Sequence, residues 1–208
     1  MAAPSTYRGS ITREQWLLNE TRTVARLMAD ERLEDPEAMA RRVLDQNLFQ
    51  YPTEREQRSI AKACARRLVA LSDEPAIRAQ LVDLAAHGTP SQLAQTNLYA
   101  MACDNRIVWD FLATVTAAKF RKLDHSLPKW QIAEFLEGLR AQDDRAATWS
   151  DATLNKIRQV LAACLVNCGL YDRRAEQLLP APIDPELAQA IRANGDDEIL
   201  AGLGVTGR

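Results

Sequence analysis

The chain has 208 residues, 26 basic and 28 acidic side chains, and a formal net charge of −2. With 47% hydrophobic residues and only 8 Gly and 9 Pro, it is neither disordered nor collagen-like, and it can bury one sizeable core or two small ones. Bulk charge gives no reason to expect nucleic acid, so any basic footprint has to be local.

The apolar spacing is helical almost throughout. Thr12 with Gln15 forms a capping-box pattern ahead of Trp16, Leu17, Val24, Leu27 and Met28. Asp35-Pro36 is a cap followed by Pro at the first helical position, leading into Met39, Val43 and Leu44. Thr53 with Glu56 opens a third helix that runs through Leu71. Pro75 starts a fourth, ended by His87-Gly88, and Thr89-Pro90 starts a fifth carrying Leu93, Leu98 and Met101. A sixth runs from Ile107 to about Lys122, and Leu127-Pro128 breaks the chain before a helix with Trp130, Ile132, Leu136 and Leu139. Ser150 caps a helix with Leu154, Ile157, Leu161 and Leu165 on one side and Gly169 as its stop. The pairs Leu170-Tyr171 and Leu178-Leu179 then suit a small β-ribbon, and a short helix spans Pro185 to Ala193. The tail after Asn194 is polar and contains Gly202, Gly204 and Gly207, which predicts fraying.

Lysine occurs at five positions, leaving 21 arginines. The planar guanidinium suits phosphate, although a GC-rich genome produces the same bias. Local placement is more telling. At 100° per residue, Arg55, Arg58, Lys62 and Arg66 share one stripe, with Ile60, Cys64 and Leu68 opposite. Such a stripe can follow a phosphate backbone; it is also what an ordinary solvated face looks like. On the Ser150 helix the outward positions are Ala152, Asn155, Lys156, Gln159 and Ala163, near Thr153 and Arg158. A small, amide-bearing, cationic face of this kind is what a helix entering a major groove requires. The order helix, turn, helix, ribbon puts Arg173 and Arg174 at the start of a wing, where phosphate or minor-groove contacts are made. The loop 141–149 is longer than a tight helix-turn-helix needs. Lys119, Arg121, Lys122, His125 and Lys129 form a third basic cluster, half explained by the dipole at a helix end.

Catalytic signals are weak. Cys164 and Cys168 lie on an apolar helix face, His87 and His125 stand alone at helix ends, and the Asp143-Asp144 and Asp196-Asp197-Glu198 runs read as solvated caps. No glycine-rich phosphate loop or paired Cys/His ligand spacing occurs, so neither cofactor nor metal is expected.

Tyr7 and Ile11 ahead of a helix carrying Glu20, Asn47-Leu48, Arg66-Arg67-Leu68, Phe111, Lys119-Phe120, and Trp149-Ser150-x-x-Thr153-x-x-Lys156 ending in Gly169-Leu170 make a pattern along the chain. On these residues, from about Tyr7 to Ile183, the chain resembles the BrxA family of bacterial BREX phage-exclusion systems. The resemblance implies a double-stranded DNA binder with a NusB-like helical body and a winged-helix-like element.

The resulting expectation is an all-α protein: a helical body over 1–125, a helix-turn-helix and wing-like module over 126–183, and a short helix with an acidic tail over 184–208. It would bind double-stranded DNA through Arg55, Arg58, Lys62, Arg66, Lys119, Arg121, Lys122, Thr153, Asn155, Lys156, Arg158, Gln159, Arg173 and Arg174, without catalysis. The alternatives are an adaptor docking other BREX proteins and a NusB-like RNA binder. MAAPSTYRGS has no apolar leader core and no apolar run spans a bilayer, which predicts a cytoplasmic protein without membrane contact or a small-molecule substrate. From residue 181 onward the formal charge is −3, leaving +1 on the first 180 residues. The chain is near neutral on average and uneven in detail.

Overall fold

A computed structural model of the chain describes residues 3–205; Gly207 and Arg208 of the tail lie outside them. The fold is all-α with one short antiparallel ribbon, as the periodicity predicts. Helices α1 (Ile11–Glu14) and α2 (Leu18–Glu31) replace the single first helix expected from the Thr12 pattern. Thr12 lies inside the one-turn α1, where its hydroxyl donates to the Gly9 carbonyl at 2.9 Å. The chain breaks at Gln15–Leu17 because tertiary donors take its carbonyls. Buried Arg67 donates to the carbonyls of Glu14 and Gln15, and Asn97 Nδ2 donates to that of Trp16 at 2.7 Å.

The next starts follow the sequence closely. Asp35 caps α3 (Pro36–Asp45) through the amides of Glu37 and Ala38, and Thr53 caps α4 (Glu54–Val69) through the amide of Glu56. Helix α5 (Pro75–His87) precedes α6 (Pro90–Asp104), whose Thr89/Gln92 pair forms a complete capping box. Every α6 residue from Leu93 to Asp104 is buried, so this helix is the axis of the body, packed by α2, α4, α5 and later helices. The expected sixth helix is continuous but not uniform: α7 (Arg106–Asp110) passes through a π-helical segment, Phe111–Thr116, into α8 (Ala117–Arg121).

Helices α9 (Lys129–Gln142), α10 (Asp144–Ala147) and α11 (Asp151–Asn167) follow, so the long 141–149 connection is taken up by the end of α9 and the one-turn α10. Asp143 caps α10 and Ser150 caps α11, while Gly169 leaves α11 at φ +72°. Strands β1 (Tyr171–Asp172) and β2 (Gln177–Leu178) pair antiparallel, Tyr171 opposite Leu178. The ribbon is anchored on the segment before α9. Leu178 N–H donates to His125 O at 2.7 Å and Leu127 N–H to Glu176 O at 2.8 Å.

After α12 (Pro185–Ala193) comes a correction. As far as Val205 the tail is packed rather than frayed: α13 (Asp197–Gly202) lies on the π-helical segment and α8, burying Ile199, Leu200 and Leu203. Ser72 Oγ donates to Asn194 Oδ1 at 2.6 Å, and Tyr99 donates its hydroxyl to buried Asp196 at 2.5 Å. Asp196 and Gly202, which looked like part of a solvated end, are structural. A Cβ on Gly202 would stand 2.4 Å from Leu112 O, so glycine is what lets α13 approach. One apolar cluster runs from Tyr7 through Tyr99, Phe111 and Leu161 to Leu203, so the body, the ribbon module and the tail share a core.

Candidate nucleic-acid interface

The cationic stripe on α4 forms as a face, since Cys64 and Leu68 are buried on its other side. Its cations are largely answered within the fold. Arg58 Nη1 lies 3.7 Å from Glu37 Oε2 on α3, and Lys62 pairs with the other oxygen of the same carboxylate. Arg66 turns inward: Nε donates to Asp104 Oδ1 at 2.8 Å and Nη2 to Glu14 Oε2 at 2.7 Å, while Arg8 Nη2 donates to the same Asp104 Oδ1 at 2.9 Å. Burial pushes the Asp104 carboxyl up, but the guanidiniums of Arg66 and Arg8 outweigh it and hold its pKa below the ordinary value. Arg66 is therefore a structural tie between α4 and α6. Arg55 alone in the stripe has no carboxylate partner among the described residues.

The basic cluster from Lys119 to Lys129 is similarly engaged. Lys119, only 11% exposed, pairs with Asp124 at 2.9 Å, and Arg121 pairs with Glu198 of α13 at 2.7 Å. The Lys119 hydrogen bond is the main reason the Asp124 pKa lies below its ordinary value. Lys129 reaches Glu176 at 3.1 Å, and among the described residues Lys122 has no carboxylate partner, on a cleft shared with Gln131 and Glu134.

The outward face of α11 splits into two flanks. On one, Asn155 Oδ1 accepts from Arg158 Nη2 at 2.6 Å, beside Glu137 and Asp151 in a 310 Å³ cleft against α9. On the other, Lys156 and Gln159 meet Arg173 from the ribbon around a 220 Å³ cleft completed by Gln15, Trp16, Val160 and Ala163. No carboxylate lines this second cleft. Arg174 is exposed at the turn between β1 and β2, where its backbone N–H donates to Asp172 Oδ1 at 2.7 Å. Thr153 stays with the cap, its hydroxyl 3.0 Å from that of Ser150. The N-terminal segment crosses the first turn of α11 here: a Cβ on Gly9 would lie 3.6 Å from Trp149 Nε1 and 3.9 Å from Thr153 Cγ2.

The fold thus gathers Lys156, Gln159 and Arg173, sets Arg174 beside them on the turn, and disperses the other expected residues. It also adds three side chains that the sequence reading passed over. Gln15 and Trp16 line the α11 cleft, and Arg13, exposed on α1, shares a 510 Å³ cleft with Arg55, Thr12, Gln15 and Ser59. No periodic signal could have found them, because they sit on the one-turn α1 and at the break that follows it.

Little else among the described residues offers chemistry. Cys64, Cys103 and Cys164 are fully buried, and burial raises all three thiols, to about 11 for Cys64 and about 12 for Cys164. Among the described residues no group of three or more His, Cys, Asp or Glu side chains is placed to hold a metal ion, and no helix is long and apolar enough to cross a membrane.

A sequence model of the BrxA family matches residues 5–195. The chain belongs to the BrxA family. Membership makes it a protein of a BREX defence system. One BrxA relative, the BREX protein BrxA of Bacillus cereus (strain H3081.97), is 26% identical over 166 residues, which cover 77% of this chain and 80% of that protein. The crystal structure of an uncharacterized protein from Magnetospirillum magneticum superposes with a TM-score of 0.77 at 21% identity, covering 96% of this chain and 99% of that one. At that identity the likeness shows a shared fold. The BrxA match extends across both the α6-centred body and the α9–α11 ribbon module.

Proposed function

We propose that this BrxA-family protein is a non-enzymatic accessory factor that binds double-stranded DNA mainly through phosphate contacts. The observation that carries the reading is the carboxylate-free cleft where Lys156 and Gln159 of α11 meet Arg173 of the ribbon, with Arg174 exposed on the adjoining turn. Helix, short helix, helix and ribbon follow one another in the order of a winged helix, with α11 in the position of the recognition helix and the ribbon in that of the wing. Gln159 offers an amide for a base edge, but few other outward residues of α11 can make paired base contacts, so sequence preference is weak. The body, in turn, is read as NusB-like.

The test is a gel shift with duplex DNA, single-stranded DNA and structured RNA across a salt series. Three cations neutralising three phosphates give a loss of about 2.7 in log K per decade of salt, at about 0.9 each. Duplex preference with at least that salt dependence, reduced in a Lys156→Gln/Arg173→Gln/Arg174→Gln variant, is the expected result. Absence of duplex binding at low salt overturns the reading, and stronger binding to RNA would put the NusB-like body in its place.

A second reading, an adaptor that docks other BREX proteins, draws on Leu123 and Trp130. These are 78% and 61% exposed on either side of the 124–128 connection. Co-purification with the other products of the same locus, lost in Leu123→Ser/Trp130→Ser, tests it.

A further inference from the structure

The structure assigns Arg13 and Arg55 to the same contact surface as the ribbon: we infer that the duplex backbone is followed across α1, from the β1–β2 turn to the start of α4. This rests on the DNA-binding reading and extends it to residues on the helical body.

Three observations support a single track. First, the two clefts adjoin. Lys156 and Arg173 line one of 220 Å³, Arg13 and Arg55 line one of 510 Å³, and Gln15 forms part of the wall of both. Helix α1 packs directly on α11, so the clefts are held together by the core rather than by a loose connection. Second, the cations on these clefts lack carboxylate partners among the described residues, whereas their sequence neighbours Arg58, Lys62 and Arg66 are paired with Glu37, Glu14 and Asp104. Pairing thus sorts the arginine-rich surface into cations held by the fold and cations left to solvent. Third, the remaining polar lining is suited to phosphate and sugar oxygens: Gln15, Thr53, Ser59 and Gln159 all carry donors. Of the two carboxylates at the wider cleft, Glu14 is turned onto Arg66, leaving Glu56 at its rim.

A partner that fits a row of separated cations interleaved with neutral donors is a regularly charged polymer, and a rigid row of this kind suits a duplex better than a flexible strand. The number of phosphates engaged is the measurable consequence. Arg13, Arg55, Lys156, Arg173 and Arg174 together correspond to about 4.5 in the salt slope, against about 2.7 for the ribbon and α11 alone.

The experiment measures duplex affinity by fluorescence anisotropy at several salt concentrations for four proteins: the wild type, Arg13→Gln/Arg55→Gln, Lys156→Gln/Arg173→Gln/Arg174→Gln, and Arg32→Asn/Arg192→Gln. The last removes two exposed cations from outside both clefts. The Arg13/Arg55 variant is expected to flatten the slope by about 1.8, so that the wild type loses about twelvefold more affinity than this variant between 50 and 200 mM salt. The Arg32/Arg192 variant is expected to keep the wild-type slope. An unchanged slope in Arg13→Gln/Arg55→Gln, with a flattened one in the Lys156/Arg173/Arg174 variant, overturns the inference and leaves the DNA-binding reading standing. Equal flattening in the Arg32/Arg192 variant overturns it too, because the surface would then be undifferentiated. A wild type that binds no duplex overturns both.

Discussion

Arg66 and Asp104 are joined by two hydrogen bonds, Nε to Oδ1 at 2.8 Å and Nη2 to Oδ2 at 3.1 Å, across 38 residues of sequence. The pair fastens the last turn of α4 to the end of the central helix α6, and Asp104 is only 5% exposed there. Arg66→Ala would leave that carboxylate to Arg8 alone. A buried charge deprived of one partner is costly, but the Arg66 side chain is itself 37% exposed and Arg8 remains, so the expected loss is about 1–3 kcal/mol. Urea denaturation measures it, and the salt slope for duplex DNA should be unaffected, because Arg66 is not on the track.

Acid titration probes the same pair. The folded-state pKa of Asp104 lies below its ordinary value of 3.8, so in the window beneath that value the unfolded chain binds more protons than the folded one. Stability contributed by Asp104 is therefore complete above about pH 4–5 and is lost as pH falls through the folded pKa. Urea midpoints followed from pH 5 to pH 2 should fall more steeply in the wild type than in Asp104→Asn, whose side chain does not titrate.

Gly202→Ala places a Cβ 2.4 Å from a backbone oxygen that cannot swing away. Either α13 lifts or the π-helical segment shifts, at a cost of about 1–3 kcal/mol, the usual range for overpacking. Amide exchange should quicken locally, in residues 111–121 and 197–203, and the thermal midpoint should drop by several degrees.

Arg58→Gln/Lys62→Gln removes two cations that share Glu37 on an exposed edge. Exposed pairs of this sort contribute at most about 1 kcal/mol, so stability should hardly change. The salt slope should stay within about 0.5 of the wild type, well short of the 1.8 expected if both residues touched phosphates.

Helix starts were the most legible part of the sequence. Asp35, Thr53, Thr89 and Ser150 each cap the helix they announce, because a cap and its amides are local chemistry set within three residues. The α4 stripe was legible as a face and illegible as a site. Glu37 lies on another helix and Asp104 on a third, so the carboxylates that occupy the stripe are invisible to any helical projection. Local rules also misjudged Thr12, whose helix is broken by Arg67 and Asn97 reaching in from α4 and α6, and the tail, where buried Ile199, Leu200, Ala201 and Leu203 hide among Asp and Gly. At the candidate site, Lys156, Gln159 and Arg173 could be named from position alone. Arg13 and Gln15 could not, since their role depends on how α1 lies against α11.

The seating of α13 also constrains when the protein can finish folding. Tyr99, in the middle of α6, finds its hydroxyl partner in Asp196, 97 positions downstream, and the π-helical segment is covered by residues of the same late element. A nascent chain that has reached only the ribbon already carries the cations of the proposed track, while the flank of its central helix is still bare. Core closure waits on residues near 200, so synthesis stalled before them should yield a target for chaperones and proteases instead of a functional intermediate.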